Sequence, residues 1–303
     1  SGAIRRWTPL SLSYESHVPP VPGYPTDAYS PGAGLVFVAF NGGALANWDR
    51  ATSRWGTSPL QAEPRMSKLA AAGDGTLWGV TDRGFVMRRA AAAWGIATGT
   101  YAEQVAVLPD GEVWVASYGG EVWRKPAGGA WTLIPGHGIT RSVRYLSVAA
   151  SNDAWVWSAQ GPRLVRWDGN AWTAYPTTSS FRGMRAFAGE LFAITSNTAI
   201  GRWTTAQPTL TTMTVTGGNT RTLYAIDGTS PTDVWAVGQS GRVLRYTGGA
   251  AWSGLNPPAA HASATYRAVY AAASSSAWIS GDAGVLASSD GATTGTARST
   301  SAT

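Results

Sequence analysis

The chain has 303 residues, 44% of them hydrophobic, with 37 glycines, 16 tryptophans and no cysteine. Only 13% of residues are charged, against about 25% in an average soluble domain, and the formal net charge is +6. These figures exclude a disordered chain, a disulfide framework and a cysteine-ligated zinc site, and no apolar run approaches the ~20 residues of a membrane helix.

The chain opens on Ser1-Gly2, which reads as a processed or tag-cleaved end. Ile4–Thr8 (IRRWT) has the composition of a strand. Leu10–Gly34 follows, 25 residues with five prolines and no repeat signal, and is expected to be a long loop. It carries Tyr14, Glu15, His17, Tyr24, Asp27 and Tyr29, and is placed as a lid across one face.

From Phe37 onward one phrase recurs: an aromatic anchor opening an apolar stretch, with a glycine six residues later. The anchors are Phe37, Trp78, Trp114, Trp155, Phe192, Trp235 and Trp278, spaced 41, 36, 41, 37, 43 and 43 residues apart. Six copies end in glycine and one in Thr198. A second tryptophan follows most copies: Trp55, Trp94, Trp131, Trp172 and Trp252. Each unit parses as four short strands, as in TLYAI, DVWAVG, RVLRY and AWSGL, broken by Gly, Asn, Asp and Ser clusters. A four-stranded unit of about 40 residues, repeated, is the pattern of a β-propeller blade.

The expected fold is therefore all-β, a seven-bladed β-propeller of four-stranded blades, forming a single domain over residues 1–303. The seventh unit reaches Val285-Leu286-Ala287 and lacks an outer tryptophan, so Ile4–Thr8 is expected to supply the outer strand of the last blade. That would remove an open sheet edge. Residues 291–303 read as a mobile tail.

SPTDVWAVGQSGRVLRYTGGAAW (Ser230 to Trp252) and SNDAWVWSAQGPRLVRWDGNAW (Ser151 to Trp172) resemble the DVWAVG repeats of bacterial seven-bladed propellers. GDGTLWGVTDRGFVMRRAAAAW (Gly73 to Trp94) is similar to a tectonin-type repeat. The resemblance implies a fold far more specifically than a function: tectonin-type propellers are often lectins, and related propellers include lyases and assembly factors.

In such propellers one face gathers two sets of loops, those entering each inner strand and those joining second to third strands. On that face the second-to-third turns would place Asp82, Arg83, Tyr118, Gln160, Asn197, Gln239 and Asp282. Inner-strand starts would place Arg144, Arg221 and Arg267, with Arg182 nearby, plus Lys68 and Glu103. A cation repeated there makes a positive mouth for anionic or hydroxyl-rich ligands, or else pairs with neighbouring blades. A second column, Arg88, Arg124, Arg166, Arg202 and Arg245, recurs on the third strand and reads as architecture, its stems packed on aromatics. The anchor tryptophans read as core. Trp94, Trp131, Trp172 and Trp252 are the candidates for stacking on sugar.

The three histidines, His17, His137 and His261, all fall in connections between units. His17, His261 and Glu15 are the candidate catalytic groups, since lyases of this fold use His and Glu at the mouth. His137 reads as an ordinary surface histidine.

The leading expectation is a lectin-like carbohydrate-binding module with a glycan or another surface-exposed partner, no nucleic-acid arm, no cofactor and no resident metal. The alternatives are a lyase or hydrolase at the central mouth under the Leu10–Gly34 loop, with a divalent metal only in that case, and a protein-interaction scaffold. A secreted or periplasmic bacterial location fits the absence of cysteine, as does a cytoplasmic one.

Overall fold

The computed structural model describes the backbone of six strands between residues 4 and 57, and then residues 66–281 apart from 91–92, 161–162, 218–219, 256–261 and 274–275. Side-chain placements are described from Met66 onward. The described residues are all-β, with no helix among them.

The chain builds antiparallel sheets one after another. Pro25–Tyr29 pairs with Leu35–Phe40, which pairs with Leu45–Asp49 and then Arg54–Thr57. The same order holds for the sheet from Val143–Ala150 to Trp172–Pro176 and the sheet from Gly183–Phe187 to Gln207–Thr212. The second and third units are fused. Ala93–Val107 is one strand that serves as the outer strand of the second and, after a series of bulges, the inner strand of the third.

The inner strands lie side by side in chain order. Pro25–Tyr29 runs beside Met66–Ala71, then come Ala93–Val107, Val143–Ala150, Gly183–Phe187, Leu223–Ser230 and Tyr266–Ala273, and this last lies beside Pro25–Tyr29.

The period-2 rule of strands explains the core. Four second strands, Leu77–Thr81, Val113–Ser117, Asp153–Ser158 and Asp233–Gly238, are buried at every position, and Glu190–Ile194 is buried after its first residue. The anchors Trp114, Trp155, Phe192 and Trp235 are fully buried. Fully burying such a side chain contributes roughly 1.5–3 kcal/mol each.

The outer-strand tryptophan packs backwards onto the preceding unit. Trp131 meets Trp78 edge-on at 6.1 Å, and Trp252 sits 6.2 Å from Phe192. Trp172 packs on the cluster that holds Trp114. The two aromatic signals of the sequence are thus the two halves of one contact between sheets.

The repeated glycine has two tasks. Gly120 and Gly241 have φ of +96° and +69°, a region that side chains with a Cβ avoid. A Cβ on Gly120 would also meet the backbone of Thr140 at 2.6 Å, so the turn closes against the next connection.

Three features depart from the sequence reading. Ser13–His17 and Pro25–Tyr29 are strands, so Leu10–Gly34 is not one long loop. Proline at the first position of a strand is tolerated, and Pro25 stands there. Ile4–Thr8 pairs with Ser13–His17 on one side and lies beside Ser276–Gly281 on the other, which makes it an intermediate strand rather than an outer one. Thr214–Thr216 adds a parallel edge strand to Ala251–Leu255. Val285–Ala287 and the tail 291–303 lie outside the described residues.

Candidate functional site

Local register creates the site. In six inner strands the pairing slips by one across a single residue: Pro25↔Phe40 is followed by Asp27↔Ala39, Met66↔Thr81 by Lys68↔Val80, and Val143↔Ser158 by Tyr145↔Trp157. The same slip occurs at Ala102/Gln104, Leu223/Ala225 and Tyr266/Ala268. The ladder register skips the residue in between, which is Thr26, Ser67, Glu103, Arg144, Tyr224 or Arg267, one from each of six units. A bulge of this kind bends the strand and re-aims one side chain. In the fifth unit no slip occurs, and Arg182 takes the corresponding place just before Gly183–Phe187.

These residues share a rim with the second-to-third turns, because backbone bonds tie the two loop sets together. Ser142 N–H donates to the Tyr118 carbonyl at 2.7 Å, Leu223 N–H to Asn197 at 2.7 Å, and Gly241 N–H to Ala264 at 2.7 Å. The rim therefore carries Asp82, Arg83, Tyr118, Gln160, Asn197 and Gln239 in the turns, all exposed. It carries exposed Arg144, Arg182 and Arg267, and half-buried Lys68 and Glu103, at the inner strands. Arg221 lies in the connection two residues before its strand, where Tyr224 holds the bulge place, and the Arg267 guanidinium sits 5.7 Å from the Tyr224 ring. Arg141 donates to Gln160 on the same rim. Asp282 and His261 lie outside the described residues, and Glu15 and His17 outside the described side chains.

Among the described residues neither Arg144 nor Arg182 has a carboxylate within ion-pair distance. Both act electrostatically on Tyr145: burial pushes its hydroxyl pKa up, and the two arginines pull it back. Two further residues belong here that the sequence reading missed. Arg242 is buried, and its guanidinium donates to the carbonyls of Arg221 and Thr198; burial lowers its pKa. It stands directly after the repeated glycine, where other units have Phe85, Glu121 or Ala199 by the same count, so its oddity within the repeat was a readable signal. Tyr101, just before the third inner strand's buried Ala102, is 62% exposed.

The third-strand arginines are different. Each stands directly across the ladder from an anchor: Trp114↔Arg124, Trp155↔Arg166, Phe192↔Arg202, Trp235↔Arg245. For these four an acid stands two residues before the anchor, on the same face, whereas Arg88, opposite Trp78, has Thr76 there. The resulting ion pairs are Arg124–Glu112 at 2.6 Å, Arg166–Asp153 at 2.7 Å, Arg202–Glu190 at 2.7 Å and Arg245–Asp233 at 3.1 Å. The guanidinium carbons lie 5.0–5.8 Å from the aromatic centroids. The Trp114 and Trp155 indole N–H groups donate to the same acids, at 2.7 Å and 3.0 Å. Asp153 also accepts from Gly189 N–H of the next unit at 2.7 Å. This column is structural. Four of its heads are paired rather than solvated, because period 2 puts acid and aromatic on one face; Arg88 is exposed and keeps only its approach to Trp78 at 5.9 Å.

Several site expectations are corrected. Trp252 is fully buried, with its N–H on the Met213 sulfur at 3.2 Å, so it offers no face to a sugar. Trp131 donates to the Ala97 carbonyl at 3.3 Å, and both it and Trp172 are half-buried against neighbouring aromatics. The Trp94 side chain lies outside the described residues. His137 is buried and not a surface histidine: its Nδ1 accepts from Ile139 N–H at 3.1 Å, and its ring meets Trp172 at 5.4 Å. Burial, and then the nearby Arg163 charge, pushes its pKa down. A neutral, internally bonded imidazole in an aromatic setting is a packing group.

A third set ties the inner strands together. Asp227 pairs with Arg185 of the preceding unit at 3.2 Å and accepts from Ala271 N–H of the next at 2.8 Å. Burial raises its pKa, and Arg185 works against that rise.

No protein family and no curated protein matches the sequence. Solved structures do. YCF48 bound to D1 peptide superposes with a TM-score of 0.68 at 15% identity, over 89% of this chain and 94% of that one. Virginiamycin B lyase from Staphylococcus aureus gives a TM-score of 0.70 at 15% identity, over 88% and 94%. The WD40 β-propeller domain of Doa1 gives 0.66 at 12% identity, over 86% and 90%. At these identities the likeness is one of fold, and it identifies the chain as a β-propeller.

Proposed function

We propose that this chain is a binding propeller of seven blades, closed through its N-terminal strand, that holds a carboxylate-rich protein segment on its arginine rim. Seven inner strands in sequence, with the last beside the first, support the ring. The place of Ile4–Thr8 beside Ser276–Gly281 supports the closure.

One observation carries the function. Arg144 and Arg182 are exposed without a carboxylate partner among the described residues, whereas every third-strand arginine that follows an acid-plus-anchor pair is neutralised. A fork of five donors left free on a rigid frame suits carboxylates bidentately. The neighbour whose structure holds a D1 peptide supports a peptide partner. The carbohydrate reading is weaker than the sequence suggested, since Trp252 is buried and Trp131 and Trp172 serve packing.

The test is the affinity of an oligo-aspartate peptide for the wild type and for an Arg144→Ala/Arg182→Ala/Arg267→Ala triple variant, over a range of salt. Wild-type binding that weakens with salt, and disappears in the triple variant, is the expected result. Equal binding by both proteins, or binding of neutral oligosaccharides alone, would refute the proposal.

A further inference from the structure

In a repeat protein, positions that follow the repeat serve the architecture, and positions that break it are free for other work. Of the described side chains, Tyr101, Tyr118 and Leu133 are the exposed large hydrophobics, at 62%, 52% and 40%. The two tyrosines lie on the arginine rim and break the repeat. Tyr118 stands four residues after its anchor, where the other units have Asn41, Asp82, Ala159, Ser196, Gln239 and Asp282. Tyr101 stands just before its inner strand's first buried residue, where the fourth to seventh units have Ser142, Ser180, Thr222 and Thr265.

The two are also neighbours. Ala102 pairs with Ser117 at the end of that ladder, so Tyr101, just before Ala102, and Tyr118, the first residue of the turn after Ser117, flank the same last pair. The Tyr101 ring leans on Phe85 at 5.5 Å with an interplanar angle of 36°, which braces it from behind. Phe85 is itself half-buried, and Gly84 leaves room: a Cβ there would meet the Tyr101 ring at 3.2 Å.

Charge decides what this aromatic pair receives. On the same rim the described cations are Lys68, Arg83, Arg141, Arg144, Arg182, Arg221 and Arg267, against Asp82, Glu103 and Glu121 as anions. The inner-strand starts are polarised too. Arginine occupies the fourth, fifth and seventh units, while glutamate and the tyrosine pair occupy the third. A neutral sugar would use the aromatics and leave the cations idle, and a site made once in the ring is unlike a lectin's repeated shallow sites.

We infer that Tyr101 and Tyr118 form an apolar subsite for one aromatic side chain of an acidic peptide, whose carboxylates extend to the arginines of the fourth, fifth and seventh units. This rests on the binding proposal above and adds to it a defined residue preference and a polarity for the bound segment.

The experiment uses two probes, an oligo-aspartate peptide and the same peptide with one central phenylalanine. It uses three proteins: wild type, Tyr101→Ala/Tyr118→Ala, and the triple arginine variant. Both tyrosines are exposed, so their removal leaves the fold intact, which circular dichroism checks. The wild type is expected to prefer the phenylalanine peptide by about five- to tenfold. The tyrosine variant is expected to lose that preference while keeping salt-sensitive binding of oligo-aspartate. Equal affinity of the two peptides for the wild type, or a preference that survives in the tyrosine variant, would overturn the subsite alone. Failure of the wild type to bind either peptide would overturn the binding proposal with it. Binding of a neutral oligosaccharide that is lost in the tyrosine variant would overturn the choice of a peptide.

Discussion

The two arginine columns of this propeller put the same side chain to opposite uses. In four third strands, arginine stands over an aromatic anchor with its head on an acid from the same face. At the inner-strand starts, Arg144 on a bulge and Arg182 just before its strand stand out on the rim with no acid in ion-pair distance among the described residues. The difference comes from register. A regular ladder brings the acid, anchor and arginine onto one face. A one-residue slip takes Arg144 out of the ladder register. Where the frame neutralises a charge the charge is architecture, and where it withholds a partner the charge is available to a ligand.

Four measurements would sharpen or break this comparison. The largest effect belongs to Asp153, which accepts from the Trp155 indole, the Arg166 guanidinium and Gly189 of the next unit. Asp153→Ala leaves a largely buried guanidinium unpaired and is expected to cost about 3–5 kcal/mol in urea unfolding. A loss under about 1 kcal/mol would show that the column is solvated after all.

Trp252→Ala comes next, with an expected loss of about 3–5 kcal/mol, because a fully buried ring between two sheets disappears. A variant as stable as the wild type would contradict the packing role and reopen the sugar-stacking one.

A smaller effect is set by pH. The folded His137 pKa lies below its usual 6.5, so the folded protein resists a proton that the unfolded chain accepts. Stability should therefore fall as pH drops through 6.5, and the fall should be shallower in His137→Gln. Parallel pH profiles for the two proteins would show that the imidazole is not held neutral.

The smallest stability effect is predicted for Arg144→Ala and Arg182→Ala, each within about 0.5 kcal/mol of the wild type, as for exposed side chains without partners. Thermal or urea unfolding checks this, and a loss of several kcal/mol would place a hidden acid beside them.

Much of the frame was legible because it repeats. The anchors, the glycines and the outer tryptophans each recur about once per unit, and each recurrence reports one geometric demand: burial, a positive φ, or contact with the preceding sheet. The third-strand arginines were readable as architecture for the same reason, although the acid two residues before the anchor went unnoticed. Pro25–Tyr29 was hidden by the prolines around it, since a strand that starts on proline carries the composition of a loop. The rim was only partly legible. Arg144, Arg182 and Arg267 could be placed by strand order, but the slip that takes Arg144 and Arg267 out of the ladder register is a property of backbone pairing, with no residue type to announce it. Arg242 and Tyr101 are single departures from the repeat, visible only once the units are aligned position by position. The reading of Trp252 failed because an outer strand is not an exposed strand when the neighbouring sheet reaches over it.

The most direct test of the central claim sets Arg166→Ala beside Arg144→Ala in equilibrium urea unfolding. A loss of about 3 kcal/mol or more in the first, with no more than about 0.5 kcal/mol in the second, is the predicted result. Equal losses in the two variants would contradict the division of the arginines into frame and ligand surface.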